Sequence, residues 1–478
     1  MTTLAPSAAP VRTPLRLSPA ALAPLGMALL ALAAVMFTPQ ALNDGDTYWH
    51  LAAGQWMLDH GRVPRVDVFS FPHLGKPWVA QEWLSEVLMA LAYRAGGWSG
   101  LVALYGAATA LAMGLLTGRL GRALRGLTLA VALALIVGCA APSLLIRPHL
   151  LILPVIIAWT TELLAARAEG RAPRLFLAGL MLLWANLHGS YLLGFVLAGP
   201  FGLEALAEAK APERLRVLRE WVLVGGLCVA ASLLTPHGLA GVTYPFEILS
   251  MTTLGAITEW RAADFSKLAP FELALLVTLF VGFSRGLRVP PLRLALLLIL
   301  LHMALQHERQ LIILAVVAPL LLVEPLAEAL DQRATAMRPG HAAWAAFALG
   351  AAVLLGLRFA FPLARQDGAT TPASALEHVP AALAARPVIN TYGFGGYLIF
   401  KGVRPFIDGR SDMYGDAHFK RDLAIMAGDR KAFDAAVAQY GVAWTLLAPD
   451  EALVGVLDAT PGWRRLYADR YAVVHIRD

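Results

Sequence analysis

The chain has 478 residues, 58% hydrophobic and 15% charged, where a soluble domain carries about 25% charged residues. With a mean hydropathy of +0.62, most of it cannot be a soluble globule. Two cysteines, Cys139 and Cys228, each inside an apolar run, exclude a disulfide-stapled scaffold, and the net charge of +6 excludes a nucleic-acid protein once it is mapped. Residues 363–478 hold 13 Lys and Arg against 13 Asp and Glu, so the whole excess lies in residues 1–362, where it follows topology.

A cytoplasmic segment, residues 1–18, places Arg12 and Arg16 ahead of the first apolar run. A bilayer crossing needs roughly 20 apolar residues, fewer where the bilayer thins. Candidate spans follow at 19–38, 98–117, 127–145, 150–166, 174–187, 190–206, 221–235, 269–285, 292–306, 310–327 and 341–362. Basic residues fill every second connection: Arg119, Arg122 and Arg125; Arg167, Arg171 and Arg174; Lys210, Arg214, Arg216 and Arg219; Arg285, Arg288 and Arg293; Arg333 and Arg338. Such clusters stay in the cytoplasm, which sets the N-terminus inside and the C-terminus outside. The reading is a polytopic α-helical membrane protein with about 11 transmembrane helices over 19–362, in a bacterial cytoplasmic (inner) membrane.

The first outer loop, 39–97, is the longest of the membrane part. Within it Thr47–His60 and Gln81–Tyr93 read as tryptophan-rich helices lying flat on the interface. Beyond residue 363 the composition becomes that of a soluble unit, predicted to be a small extracytoplasmic α/β domain. Strands are expected at Val388–Ile389, Tyr397–Phe400, Trp444–Ala448 and Tyr471–Ile476, with helices near 416–427, 430–440 and 450–458.

The unusual polar residues gather on the outer side. They are Asp44, Asp46, His50, His73 and Glu82 in the first loop, Arg147 and His149, Asn186 and His188, His237, Glu259 and Arg261, and His307 and Arg309 in later turns. Such groups are costly near hydrocarbon, so one composite site opening outward is expected. Asp44 and Asp46 suit either a helix cap or a general base on an acceptor hydroxyl, with a divalent cation as a further possibility. Arg147, Arg261 and Arg309 break the positive-inside pattern; they suit a phosphate at the membrane surface, or ion pairs with neighbouring glutamates. Six outer histidines have no fixed metal-ligand spacing and read as substrate-contacting or structural rather than as a metal site. Trp49, Trp56, Trp78, Trp83, Trp98 and Trp260 read as an aromatic belt, and the glycine-rich stretches Tyr392–Ile399 and Phe406–Tyr414 as places of close backbone approach, with Asp408 and Arg410 a buried pair.

An acidic residue just after the first span, the long first outer loop and the trailing outer domain resemble the GT-C glycosyltransferases. The stretch Asp44–Leu84, with Asp44-Gly45-Asp46-Thr47-Tyr48-Trp49-His50 and Gln81-Glu82-Trp83-Leu84, is similar to bacterial mannosyltransferase-like and oligosaccharyltransferase-like members, as are Asn186-Leu187-His188-Gly189 and Phe406-Ile407-Asp408-Gly409-Arg410. The resemblance implies inverting transfer of a sugar from a polyprenyl-phosphate donor to a glycan, lipid or protein acceptor outside the membrane. It implies Asp46 or Asp44 as base, Glu82 as second acid, and Arg309 with Arg147 and Arg261 at the donor phosphate. His50, His149, Asn186, His188, His237, Glu259 and His307 would line the substrate. A non-catalytic scaffold of the same type, or a lipid or solute transporter, stands as the alternative, although transporters place charges at mid-membrane depth.

Overall fold

The computed structural model describes residues 19–332 and 339–478; Arg12, Arg16, Arg333 and Arg338 lie outside the described residues. Apolar runs become helices because a backbone in a dry environment must satisfy its own hydrogen bonds. The membrane part is built from α1 (Pro19–Phe37), α2 (Asp46–His60), α3 (Trp83–Leu120), α4 (Gly126–Ala140), α5 (Leu153–Ala168), α6 (Phe176–Leu187), α7 (Leu192–Glu208), α8 (Arg214–Leu233), α9 (Leu239–Leu249), α10 (Pro270–Arg285), α11 (Pro291–Gln306), α12 (Leu311–Ala329) and α13 (His341–Ala360). A helix coincides with each expected span. Among the described residues six, spanning Trp83–Leu120, Gly126–Ser143, Pro148–Ala168, Gly189–Glu208, Glu308–Ala329 and His341–Ala360, are long and apolar enough to cross a membrane by length and composition. Large apolar side chains face outward on several helices, among them Phe280, Phe283 and Leu349, as expected of a membrane protein.

The core runs through α3, α5, α6, α7 and α12, around buried Tyr105, Trp159, Trp184 and Phe201. The helix α3 turns sharply at Gly96 and Gly97, where Gly97 has φ 56° and ψ −144°, a conformation closed to residues with a Cβ. Its first half belongs to the outer loop and its second half to the membrane bundle. This changes the expectation of two flat interfacial helices. In α2, every residue from Thr47 to Gly54 is buried, because one side packs on the first half of α3 and the other on the outer domain. Trp49 and Trp78 are likewise interior, not part of a belt.

The C-terminal unit, called the outer domain after the side of the membrane expected for it, begins with two short helices, α14 (Ala373–Glu377) and α15 (Ala381–Ala384). It continues β1 (Val388–Asn390), α16 (Gly395–Phe400), α17 (Ser411–Met426), α18 (Arg430–Tyr440), β2 (Trp444–Leu447), α19 (Ala452–Asp458), β3 (Trp463–Ala468) and β4 (Val473–Arg477). The sheet order is β1-β2-β4-β3, with β1 parallel to β2 and the other pairs antiparallel. Helix α18 is delimited as its sequence suggests: Asp429 caps the backbone N–H groups of Lys431 and Ala432, and Gly441 ends it in the left-handed region. Tyr397–Phe400, expected as a strand, is instead the end of α16, whose Gly395-Gly396 start lets it lie directly on α2.

Three polar anchors tie this domain to the outer loops. Buried Arg410 bonds Asp408 (2.8 and 2.7 Å) and reaches Asp67 of the first outer loop (2.7 Å), its guanidinium stacked 4.8 Å from the Trp78 ring. Tyr414 donates to the same Asp408 (2.6 Å). Asp416 accepts from the backbone and hydroxyls of Thr252 and Thr253, and Asp412 accepts from the Tyr244 hydroxyl.

Candidate active site

The site forms where the start of α2, the Arg147 turn, the loop between α9 and α10, and the outer domain meet. Asp44 accepts the backbone N–H of Asp46 (2.8 Å), closing the turn that launches α2. The Asp46 side chain is therefore free of capping duty and faces two other partners. Its Oδ1 accepts the Trp49 indole N–H (3.0 Å), and its Oδ2 lies 2.8 Å from Arg147 Nη2. Arg147 Nη1 is 3.6 Å from Asp44 Oδ2. The same two Nη atoms also donate to the two carboxylate oxygens of Glu259. Arg309 Nη1 approaches Glu259 Oε1 from the far side at 3.3 Å, its guanidinium stacked 4.4 Å from the Trp260 ring.

The outer domain seals this cluster with backbone. A Cβ on Gly409 would lie 1.8 Å from Asp46 Oδ1, and one on Gly396 would lie 2.1 Å from the Gly45 carbonyl oxygen, so only glycine permits the approach. Burial under this cover pushes the Asp46 carboxyl up to about 7 despite the opposing Arg147 charge, with Asp44 and Glu259 adding to the rise. Asp44 is raised by the same burial. Glu259 moves the other way, to about 2, because Arg147 and Arg309 together outweigh its own desolvation.

A second carboxylate chain lies alongside. His188 Nδ1 accepts the Ser190 backbone N–H (3.0 Å), which leaves the proton on Nε2, and Nε2 donates to Glu82 Oε1 (3.0 Å). Glu82 Oε2 is 3.5 Å from His50 Nε2, and His50 Nδ1 is 3.0 Å from Glu86 Oε1. Burial lowers the pKa of both imidazoles, aided by Arg147 at His50 and by Arg309 at His188, so both are neutral at pH 7. Burial raises Glu82 to about 7.

The remaining expected residues divide. His149 donates Nε2–H to the Ser143 carbonyl (2.8 Å), and His307 Nδ1 contacts the Trp260 carbonyl (2.8 Å), bracing the turns that carry Arg147 and Glu259. Asn186 is saturated: it accepts from Trp83 Nε1 (2.8 Å) and donates to the Leu182 and Leu234 carbonyls (2.8 and 3.1 Å). His237 sits at the seam of the first outer loop, its Nε2 buried without a partner. Among the described residues Arg261 reaches the Ala256 carbonyl (3.4 Å) and joins no carboxylate. Trp78 and Trp260 each carry a guanidinium on one ring face, Arg410 and Arg309 respectively. Among the described residues no group of three or more His, Cys, Asp or Glu side chains is arranged to hold a metal ion.

Sequence reasoning missed Glu86, the glycine contacts and the Asp412–Tyr244 pair. Glu86 was visible as the residue four after Glu82 in one helix, a spacing that places both on one face. The glycine-rich stretches were noticed, but not that they cover the acids.

No protein family profile matches the chain, and no curated protein sequence matches it. Among solved structures it is similar to the crystal structure of the oligosaccharyltransferase of Archaeoglobus fulgidus in the apo form, with a TM-score of 0.39 and 11% identity, covering 89% of this chain and 69% of that one.

Proposed function

We propose that the chain is a GT-C-like glycosyltransferase of a bacterial cytoplasmic membrane, with about eleven spans, its N-terminus inside and the outer domain outside. It transfers a sugar from a polyprenyl-phosphate donor to an acceptor hydroxyl on the extracytoplasmic side. The observation that carries this reading is the half-buried Asp46 carboxylate held 2.8 Å from Arg147, which in turn shares Glu259 with Arg309.

In this reading Asp46 takes the proton of the acceptor hydroxyl as that oxygen attacks the anomeric carbon. The bond from that carbon to the phosphate oxygen breaks, and the lipid phosphate leaves as an anion neutralised by Arg147 and Arg309. A carboxyl with a pKa near 7 is matched to proton abstraction at neutral pH. Glu82 and Asp44 are the supporting acids, and the acceptor is a glycan, lipid or protein.

The test uses purified protein in detergent with a panel of radiolabelled polyprenyl-phosphate sugars, with and without EDTA, following loss of label from the lipid. Turnover that disappears in Asp46→Asn is expected. Transfer by D46N at the rate of the parent protein would refute the assignment of the base.

A further inference from the structure

Arg147 and Arg309 are the two cations of the site, and Glu259 lies between them. Arg147 presents both Nη atoms to this carboxylate, while Arg309 adds a third N–H from the opposite side. Two guanidinia converging on one anion form the donor set that suits a phosphate better than a carboxylate, because a phosphate has oxygens for both forks at once. Glu259 is also the most exposed of the acids around Arg147, 29% against 11% for Asp44 and 17% for Asp46.

The surroundings keep the cations in place independently of Glu259. The Arg309 guanidinium stacks on Trp260, whose carbonyl is braced by His307, and Arg147 Nη2 is held by Asp46. The loop that carries Glu259 is fastened at one end by Asp416 to Thr252 and Thr253, and at the other by the Glu308 N–H to the Arg261 carbonyl (3.0 Å). Rotation about the Glu259 side-chain bonds is therefore enough to vacate the position.

We infer that Glu259 occupies the seat of the donor phosphate and leaves it when a lipid-linked phosphate binds to Arg147 and Arg309. The inference rests on the donor class proposed above. A phosphodiester-linked sugar carries one negative charge, the same as the glutamate it displaces, so the exchange leaves the charge of the site unchanged. A departing lipid phosphate carries more charge than Glu259, and the returning glutamate competes with it for the same two arginines.

A fixed structural salt bridge and an exchangeable stand-in predict opposite effects of one substitution. Equilibrium binding of undecaprenyl phosphate to the full chain in detergent, with undecaprenol as the uncharged control, is measured for the parent protein, Glu259→Gln and Arg309→Ala. The expected result is binding about tenfold tighter in E259Q, which lacks the competing anion, and about tenfold weaker in R309A. If E259Q does not survive purification, Glu259→Asp, with a carboxylate one methylene shorter, is expected to bind more tightly than the parent. Phosphate-dependent binding by the parent that is equal or weaker in the Glu259 variant overturns the exchange and leaves the proposed donor class standing. Failure of both proteins to prefer the phosphate over the alcohol overturns the donor class and the exchange with it.

Discussion

Gly409 offers a direct perturbation of the site from the outer domain. A methyl group there would begin 1.8 Å from Asp46 Oδ1 and 2.7 Å from Trp49 Nε1, both held by their own bonds. To restore ordinary contact near 3.5 Å, the carboxylate or the 406–410 segment has to retreat by about 1.7 Å. The 406–410 segment is fixed by the buried Asp408–Arg410–Asp67 cluster, so Asp46 is the group that yields. Gly409→Ala is expected to cost about 1–3 kcal/mol of stability through overpacking. Activity is expected to fall about 100-fold, the loss expected when a reacting group is misplaced by about 1 Å. The assay is label transfer from the polyprenyl-phosphate sugar, run beside a melting curve in detergent. Gly455→Ala, a helix position with open space around it, is the control. Retention of activity within about threefold in G409A would refute both the contact and the role given to Asp46.

The acid limb of the pH profile is expected near pH 7, because Asp46 and Glu82 both titrate at about 7 and only ionised Asp46 abstracts a proton. Activity rises with pH through that value. A kcat/KM that stays flat down to pH 5 would show that Asp46 titrates near its ordinary 3.8 and is not buried as described. Arg410→Ala is expected to destabilise the protein by about 3–5 kcal/mol, because Asp408 and Asp67 are left as uncompensated buried acids. Thermal melting and earlier protease release of residues 363–478 measure this, and an unchanged melting temperature would refute it.

The helices of the membrane part were legible because hydropathy is a local property: the runs at 292–306 and 310–327 correspond to α11 and α12 almost residue for residue. Tyr397–Phe400 was misread because its aromatic and branched residues favour a strand, whereas packing of the segment on α2 makes it helical. The gathering of Asp46, Glu82, Arg147, Glu259 and Arg309 was foreseeable as a set, since the expected topology puts their loops on one side. Their pairing was not. Arg147 meets Glu259 across 112 residues, and no pattern in either segment encodes the partner. The tryptophans show the same limit: Trp49 and Trp78 resemble membrane-interface residues in sequence, but the Asp46 carboxylate and the buried Arg410 guanidinium claim them.

The outer domain follows Asp46 in the chain by more than 300 residues, yet it lies against that carboxylate. Asp46 next to Arg147 in open water would titrate below its ordinary value, since the guanidinium favours the charged form. Its carboxyl is raised to about 7 because desolvation is the largest influence on it, and among the groups lying against it is Gly409, where an added Cβ would come within 1.8 Å of Oδ1. Glycine is required at this point because any side chain would hold the two surfaces apart and admit water. The domain therefore acts on the site as a low-dielectric cover, fastened by Arg410 to the first outer loop and by Asp416 to the loop of Glu259. The acid limb of the pH profile is its readout. A cover loosened at Gly409 or Arg410 should move that limb below pH 7, toward the ordinary aspartate range, whereas a domain that served acceptor recognition alone would leave the limb in place.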